Sequence, residues 1–120
     1  RASKKFGILC HYYSDFFCLA HNPQFEGNLK AHVRYEKEML RYMRENYDAF
    51  QKIDYIKTEI DAESAPEINE RMRSLIKDKS AVQNDFSAEL TGAIRACAEL
   101  VLSIYSAVLS PVNEAVYECA

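Results

Sequence analysis

From Leu29 to about Ile60 the chain contains neither glycine nor proline, and no other feature narrows its folding options as sharply. Turns and strand connections need residues that accept left-handed or fixed dihedrals, so a run this long without them points to helix. Within it Leu29, Val33, Leu40, Met43, Tyr47 and Phe50 recur at helical spacing, with Glu36 as an interruption. Asn28 suits the N-cap of this helix, and a bend is expected near Asn46-Tyr47-Asp48.

The flanking segments read the same way. Phe6, Leu9, Cys10, Tyr13, Phe16, Phe17 and Ala20 step by threes and fours, predicting a helix over 3–20 that Asn22-Pro23 closes. Ser64-Ala65-Pro66 is the next break, and Pro66 fits the first turn of a helix whose buried face is Ile68, Met72, Leu75 and Ile76. Lys77-Asp78-Lys79-Ser80 reads either as a short turn or as continuing helix.

Val82, Phe86, Leu90, Ile94, Cys97, Val101, Ile104, Tyr105 and Val108 then keep helical period. Opposite them runs a narrow polar stripe of Asp85, Glu89, Gly92, Arg95, Glu99, Ser103, Ser106 and Ser110. A wide apolar face with a narrow polar one marks a helix at the centre of a bundle. Residues 90–109 are long enough to cross a bilayer, but Arg95 and Glu99 in the middle argue against a membrane span. After Ser110-Pro111, a last short helical pattern follows in Val112, Ala115, Val116 and Cys119. Strand alternation is nowhere sustained. The expected fold is all-α, a single domain over residues 1–120 built as a compact bundle of four to five helices.

The four cysteines, Cys10, Cys18, Cys97 and Cys119, set the expected redox compartment. On one helix Cys10 and Cys18 stand about 12 Å apart, beyond the roughly 7 Å between α-carbons that a disulfide spans. Both must then reach the C-terminal segment, as 10–97 with 18–119 or as 10–119 with 18–97. A straight helix over 97–119 would part its two cysteines by about 33 Å, so the chain is expected to turn at Ser110-Pro111. Two disulfides would staple the first helix to the end of the chain, and they imply a secreted, extracellular protein. Close pairs such as C-x-x-C, which a cysteine zinc site needs, do not occur.

Cys10-His11-Tyr12-Tyr13 leading to Cys18 is a Cys–Tyr–Cys run, and Cys97 through Tyr105 to Cys119 is a second. A pair of such runs resembles the BICYCLE family of secreted insect effectors, salivary proteins linked to plant galls. The resemblance covers the two ends of the chain and implies secretion without supplying a molecular mechanism.

Motifs that carry chemistry are few. His11, His21 and His32 form neither H-E-x-x-H nor Glu-x-x-His. His32 and Glu36 share a helix face and read as a surface pair, so no metal site and no cofactor is expected. No nucleophile elbow, phosphate-cradling loop or nucleotide fingerprint is present, and no enzyme activity is expected. A net charge of −3 excludes a general nucleic-acid binder. Lys30, Arg34, Lys37, Arg41 and Arg44 form a band on the long helix, read as a solvated face laced with Glu36, Glu38, Glu45 and Asp48. Tyr35, Met39 and Tyr42 lie four and three residues apart, offset from the main stripe, in residue types that interfaces favour. They are the expected partner-binding surface of a secreted, non-catalytic effector or binding protein that acts on another protein. The alternatives are a carrier of a small lipophilic ligand in a bundle cavity, and a self-associating structural protein, with a homodimer as its simplest form.

Overall fold

The computed structural model describes residues 1–56, 64–78 and 85–109. Five α-helices carry the fold, and no strand occurs among the described residues. Helix α1 (Ala2–Phe17) stops because Cys18 adopts an extended conformation. A single 3-10 turn over Leu19–His21 follows. Helix α2 (Leu29–Glu45) starts where Asn28 accepts a hydrogen bond from the Ala31 backbone N–H at 3.0 Å. The expected bend is a full interruption at Asn46, whose side-chain amide donates to the Tyr42 carbonyl at 2.9 Å. The short helix α3 (Tyr47–Gln51) comes next.

Helix α4 (Ala65–Asp78) begins beside Pro66 and runs through Lys77 and Asp78, while Lys79 and Ser80 lie outside the described residues. Helix α5 (Phe86–Val108) is capped by the Asp85 carboxylate, which accepts from the backbone N–H groups of Ser87 (2.9 Å) and Ala88 (3.3 Å). The Ser110-Pro111 turn and the final pattern from Val112 to Cys119 lie outside the described residues, as does Val82.

Helix α5 is the centre of the packing, with α1 and α4 along it and α2 near its N-terminal end. Phe17, Met72, Ala96 and Leu100 are buried together, flanked by Cys10, Tyr13, Ile68, Leu75 and Ile104. A second buried group, Cys18, Ala20 and Tyr35, joins the turn to α2 with help from Phe25, Met39 and Phe86. Among the described residues α5 is also the helix long and apolar enough to cross a membrane.

The structure turns α5 part of the way from its expected orientation, with Phe86 and Ile104 of the apolar stripe still packed on the buried groups. Much of the polar stripe faces inward: Glu89, Glu99 and Ser103 are buried, whereas Val101, Tyr105 and Val108 of the apolar stripe are exposed. For Glu89 and Glu99 the reason is polar pairing, while the buried Ser103 hydroxyl has no hydrogen-bond partner among the described residues. Arg71 of α4 donates from Nε to Glu99 Oε2 at 3.1 Å. Glu89 accepts from the Tyr35 hydroxyl and from the Leu19 backbone N–H. Buried carboxylates are tolerated when such donors meet them. Gly92 lies in the same inward stripe because the Phe17 ring occupies the space a side chain would need.

The disulfide staple is corrected as well. Cys10, Cys18 and Cys97 are free thiols, and Cys119 lies outside the described residues. Cys10 and Cys18 do not share a helix, since Cys18 falls in the break after α1. Cys97 Sγ lies 3.6 Å from the Cys10 carbonyl and 3.3 Å from Ser14 Oγ. These thiols pack between helices as small apolar groups. Burial, and next the neighbouring Cys97, pushes the Cys10 thiol up, and burial raises Cys18 too, which keeps both protonated and weakly nucleophilic.

Candidate metal centre

Two helical pairs and one turn residue converge between α1 and α2. His11 and Asp15 are four residues apart on α1, and His32 and Glu36 are four apart on α2, so each pair shares a helix face. His21 ends the 3-10 turn that links the two helices. The extended residue Cys18 redirects the chain, and the turn folds back through a hydrogen bond from the Asn22 N–H to the Leu19 carbonyl at 2.9 Å. That path carries His21 across to the opposite helix.

Glu36 Oε1 lies 2.9 Å from His21 Nε2 and 3.1 Å from His32 Nε2. The two imidazoles meet edge to face, with centroids 4.6 Å apart, and Phe25 packs edge-on to His32. Asp15 approaches the same ring nitrogen of His21, with Oδ1 3.7 Å from Nε2, and its Oδ2 lies 3.5 Å from His11 Nε2. Burial pushes the Glu36 carboxyl up, but the hydrogen bonds and charge of His21 and His32 more than reverse this and hold it below the ordinary carboxylate range.

The donor atoms of His21, His32 and Glu36 all lie within 4.8 Å of one another. Zinc bonds of about 2.1 Å in a tetrahedron require donors roughly 3.4 Å apart. The two short separations already approach that edge length. Two imidazoles with one carboxylate also form a known catalytic zinc set that leaves a position open for water or substrate. The residues present fit the ion.

A cleft of about 370 Å³ opens beside these groups. Asp15, His21 and Glu36 line it beside Ser14, Cys18, Glu89 and Cys97, and Met39, Met43, Leu90 and Ile94 supply most of its apolar lining. Its size falls within the range of about 300–1,000 Å³ typical of small-molecule sites. A larger cleft, about 830 Å³, follows α2 from Asn28 to Arg41 and touches none of the three donors.

The residues expected to bind a partner sit largely inside. Tyr35 is buried, and its hydroxyl donates to Glu89 Oε2. Met39 packs against the Cys18–Ala20–Tyr35 group. Tyr42 is half-buried between Phe50 and Phe86, with ring centroids 6.2 Å and 5.8 Å away. On spacing alone His32 and Glu36 were an ordinary surface pair, and the third donor, His21, came from a loop that periodicity does not describe. The signal open to inspection was the doubled pattern of a histidine four residues before a carboxylate.

A family model described as zinc dependent phospholipase C matches residues 1–85, a span that contains all five of these histidines and carboxylates. No curated protein and no solved structure matches the chain. The family match corrects the resemblance to BICYCLE effectors: with eight tyrosines in the chain, two loose Cys–Tyr–Cys runs arise easily. It also overturns the non-catalytic effector or binding protein and the expectation of no enzyme activity, because the matched family is one of enzymes. Neither the lipophilic carrier nor the self-associating structural protein fits the match better.

Proposed function

The chain belongs to the zinc-dependent phospholipase C family, and on that footing we propose that it takes part in hydrolysing the phosphodiester of a phospholipid at a zinc centre held by His21, His32 and Glu36. The observation that carries this reading is the convergence of the three donors, two from α2 and one from the turn before it, on one point beside an open cleft. Zinc supplies a Lewis acid for a phosphoryl oxygen and lowers the pKa of water at the site.

The chain's own residues do the rest. His32 and Glu36 are fixed by α2, and the turn locks His21 against them. Asp15 presents one carboxylate oxygen towards His21 and the other towards His11, which extends the donor set onto α1 and places a proton acceptor in the lining of the cleft. Met39, Met43, Leu90 and Ile94 provide an apolar wall for the glyceride portion while the phosphate lies beside His21 and Glu36. Hydrolysis on the glycerol side of phosphorus would release a diacylglycerol and a phosphorylated headgroup.

An extracellular place of action stays part of this proposal. Its original support, the disulfides, has gone, and fractionation of the native source tests it.

Zinc titration of the protein after chelation tests the centre itself. One high-affinity site is expected, lost in His32→Ala, with release of phosphorylated headgroup from phosphatidylcholine lost in parallel. Unchanged zinc binding in His32→Ala, or in Glu36→Gln, would place any metal elsewhere and remove the proposal.

A further inference from the structure

The outer face of α2, along which the open cleft of about 830 Å³ runs, is divided into two adjoining strips. Leu29, Val33 and Leu40 occupy about 40° of the helix circumference, at 3.6 residues per turn. They are exposed at 78%, 41% and 48%, and Tyr47 just past the helix is exposed at 53%. Lys30, Arg34, Lys37, Arg41 and Arg44 occupy roughly the next 80°. All five are exposed. Arg41 is paired with Glu45 at 2.8 Å, whereas the other four have no ion pair among the described residues. The acids Glu38 and Glu45 lie beyond the cationic strip, away from the apolar one. On the other border of the apolar strip stands Glu36, followed by His32.

We propose that this face docks the protein onto an anionic lipid surface, with Leu29, Val33 and Leu40 entering the headgroup–acyl boundary and the lysines and arginines meeting the lipid charge. An apolar strip beside exposed cations, four of the five without an ion pair among the described residues, is the pattern of a helix that lies in a membrane interface. A helix that seats in a protein groove carries apolar anchors at i, i+3 or i+4, and i+7, whereas here the position seven residues after Leu29 is Glu36. The arrangement also has a sense of direction. Docking by these strips sets the Glu36 edge of α2 at the flank of the lipid-facing side, about a quarter turn from its middle. The choice of partner rests on the phospholipid reading of the centre. The docking surface itself uses none of the zinc donors.

Co-sedimentation with vesicles tests it, in chelator, so that turnover plays no part. One set of vesicles is phosphatidylcholine alone and the other is phosphatidylcholine with phosphatidylserine in equal parts. The protein is expected to bind the anionic set, and added salt should weaken that binding. Each cation removed should weaken it about fivefold, so Lys30→Gln with Lys37→Gln should lower partitioning roughly 25-fold. Leu40→Gln should weaken binding to the same vesicles without changing its salt dependence. These positions are solvent-exposed, and unchanged circular dichroism confirms that each variant folds.

Binding of the variants equal to that of the parent protein, or no preference for the anionic vesicles, overturns the proposal. So does a dimer in solution that Leu40→Gln dissolves, since that would give the face to a second copy of the chain. Vesicle binding without phospholipid turnover in the zinc-loaded protein would leave the surface standing and remove the catalytic reading. Turnover of a soluble headgroup ester without vesicle binding would do the reverse.

Discussion

Replacing Gly92 with alanine should harm this protein, although the same change helps most helices. In a helix interior alanine is favoured over glycine by about 1 kcal/mol. At Gly92 the added methyl would lie 2.6 Å from Cδ1 of Phe17 and 3.1 Å from its Cε1. The ring has little room to yield, because Phe17 is 6% exposed and packs with Met72, Ala96 and Leu100. Overpacking of this kind costs about 1–3 kcal/mol, which leaves a net loss of about 0–2 kcal/mol. Gly7 is the internal control. It lies within α1 and has nothing within 4 Å of the new methyl, so Gly7→Ala should gain about 1 kcal/mol. The measurement is urea unfolding followed by far-ultraviolet circular dichroism on both variants. The two alanines should then differ by about 1–3 kcal/mol. A second readout ties the contact to the metal centre. Phe17 immediately precedes the Cys18 break that aims the His21 turn, so Gly92→Ala should weaken zinc binding while Gly7→Ala leaves it unchanged. Equal stabilisation by both alanines would refute the close approach of α1 to α5 and the packing drawn from it.

Three further outcomes follow from named contacts. Glu89→Ala leaves the Leu19 N–H and the Tyr35 hydroxyl without their acceptor; a loss of about 2–5 kcal/mol in chemical denaturation is expected, with weaker zinc binding because Leu19 begins the turn that ends at His21. Tyr42→Ala should cost about 2 kcal/mol, less than the 3–5 of a fully buried aromatic; a change near zero by the same assay would show the ring to be a free surface group. In the metal-free protein Glu36 is more acidic than in the unfolded chain. Its stabilising contribution is therefore complete above the unfolded value of roughly pH 4.3 and fades as pH falls through the lower folded value. Glu36→Gln should remove that part of the acid dependence, as read by stability measured across this range.

The helices were legible because their signals are local. Asn28 caps α2 through its own side chain as expected, and the Asn46 interruption falls where the bend was expected; the helical run expected to reach about Ile60 ends at Gln51, and Asp85, read as part of the polar stripe, caps α5. The inward side of α5 was not legible. Hydropathy assigns Glu89 and Glu99 to water, and only the distant partners Tyr35, Leu19 and Arg71 make their burial tolerable. The cysteines misled for a related reason. A thiol that packs as a small apolar side chain and one that forms a bridge are the same letter, and the distinction is tertiary. The metal centre was half visible. His32–Glu36 and His11–Asp15 each repeat one helical spacing, but His21 joins them through a turn that begins with the extended Cys18.

The core and the candidate centre are consequently one construction. Glu89 could be replaced by an apolar residue if burial were the sole requirement, since a buried charge contributes little net stability by itself. Its two acceptor oxygens instead join elements far apart in sequence: Oε1 takes the backbone N–H of Leu19 at the start of the turn, and Oε2 takes the Tyr35 hydroxyl next to Glu36 on α2. One carboxylate on α5 thereby sets the spacing between the turn that carries His21 and the helix that carries His32 and Glu36. Burial, and next the hydrogen bond to Glu89, pushes the Tyr35 phenol up, so it remains a donor over the whole working range. Glu89→Gln separates fixing from folding. The amide keeps one acceptor and the side-chain volume, so most stability should survive. It must also turn an N–H donor towards either Leu19 or Tyr35, and zinc affinity should fall by more than stability does. Equal losses in the two measurements would mean that Glu89 serves the core alone.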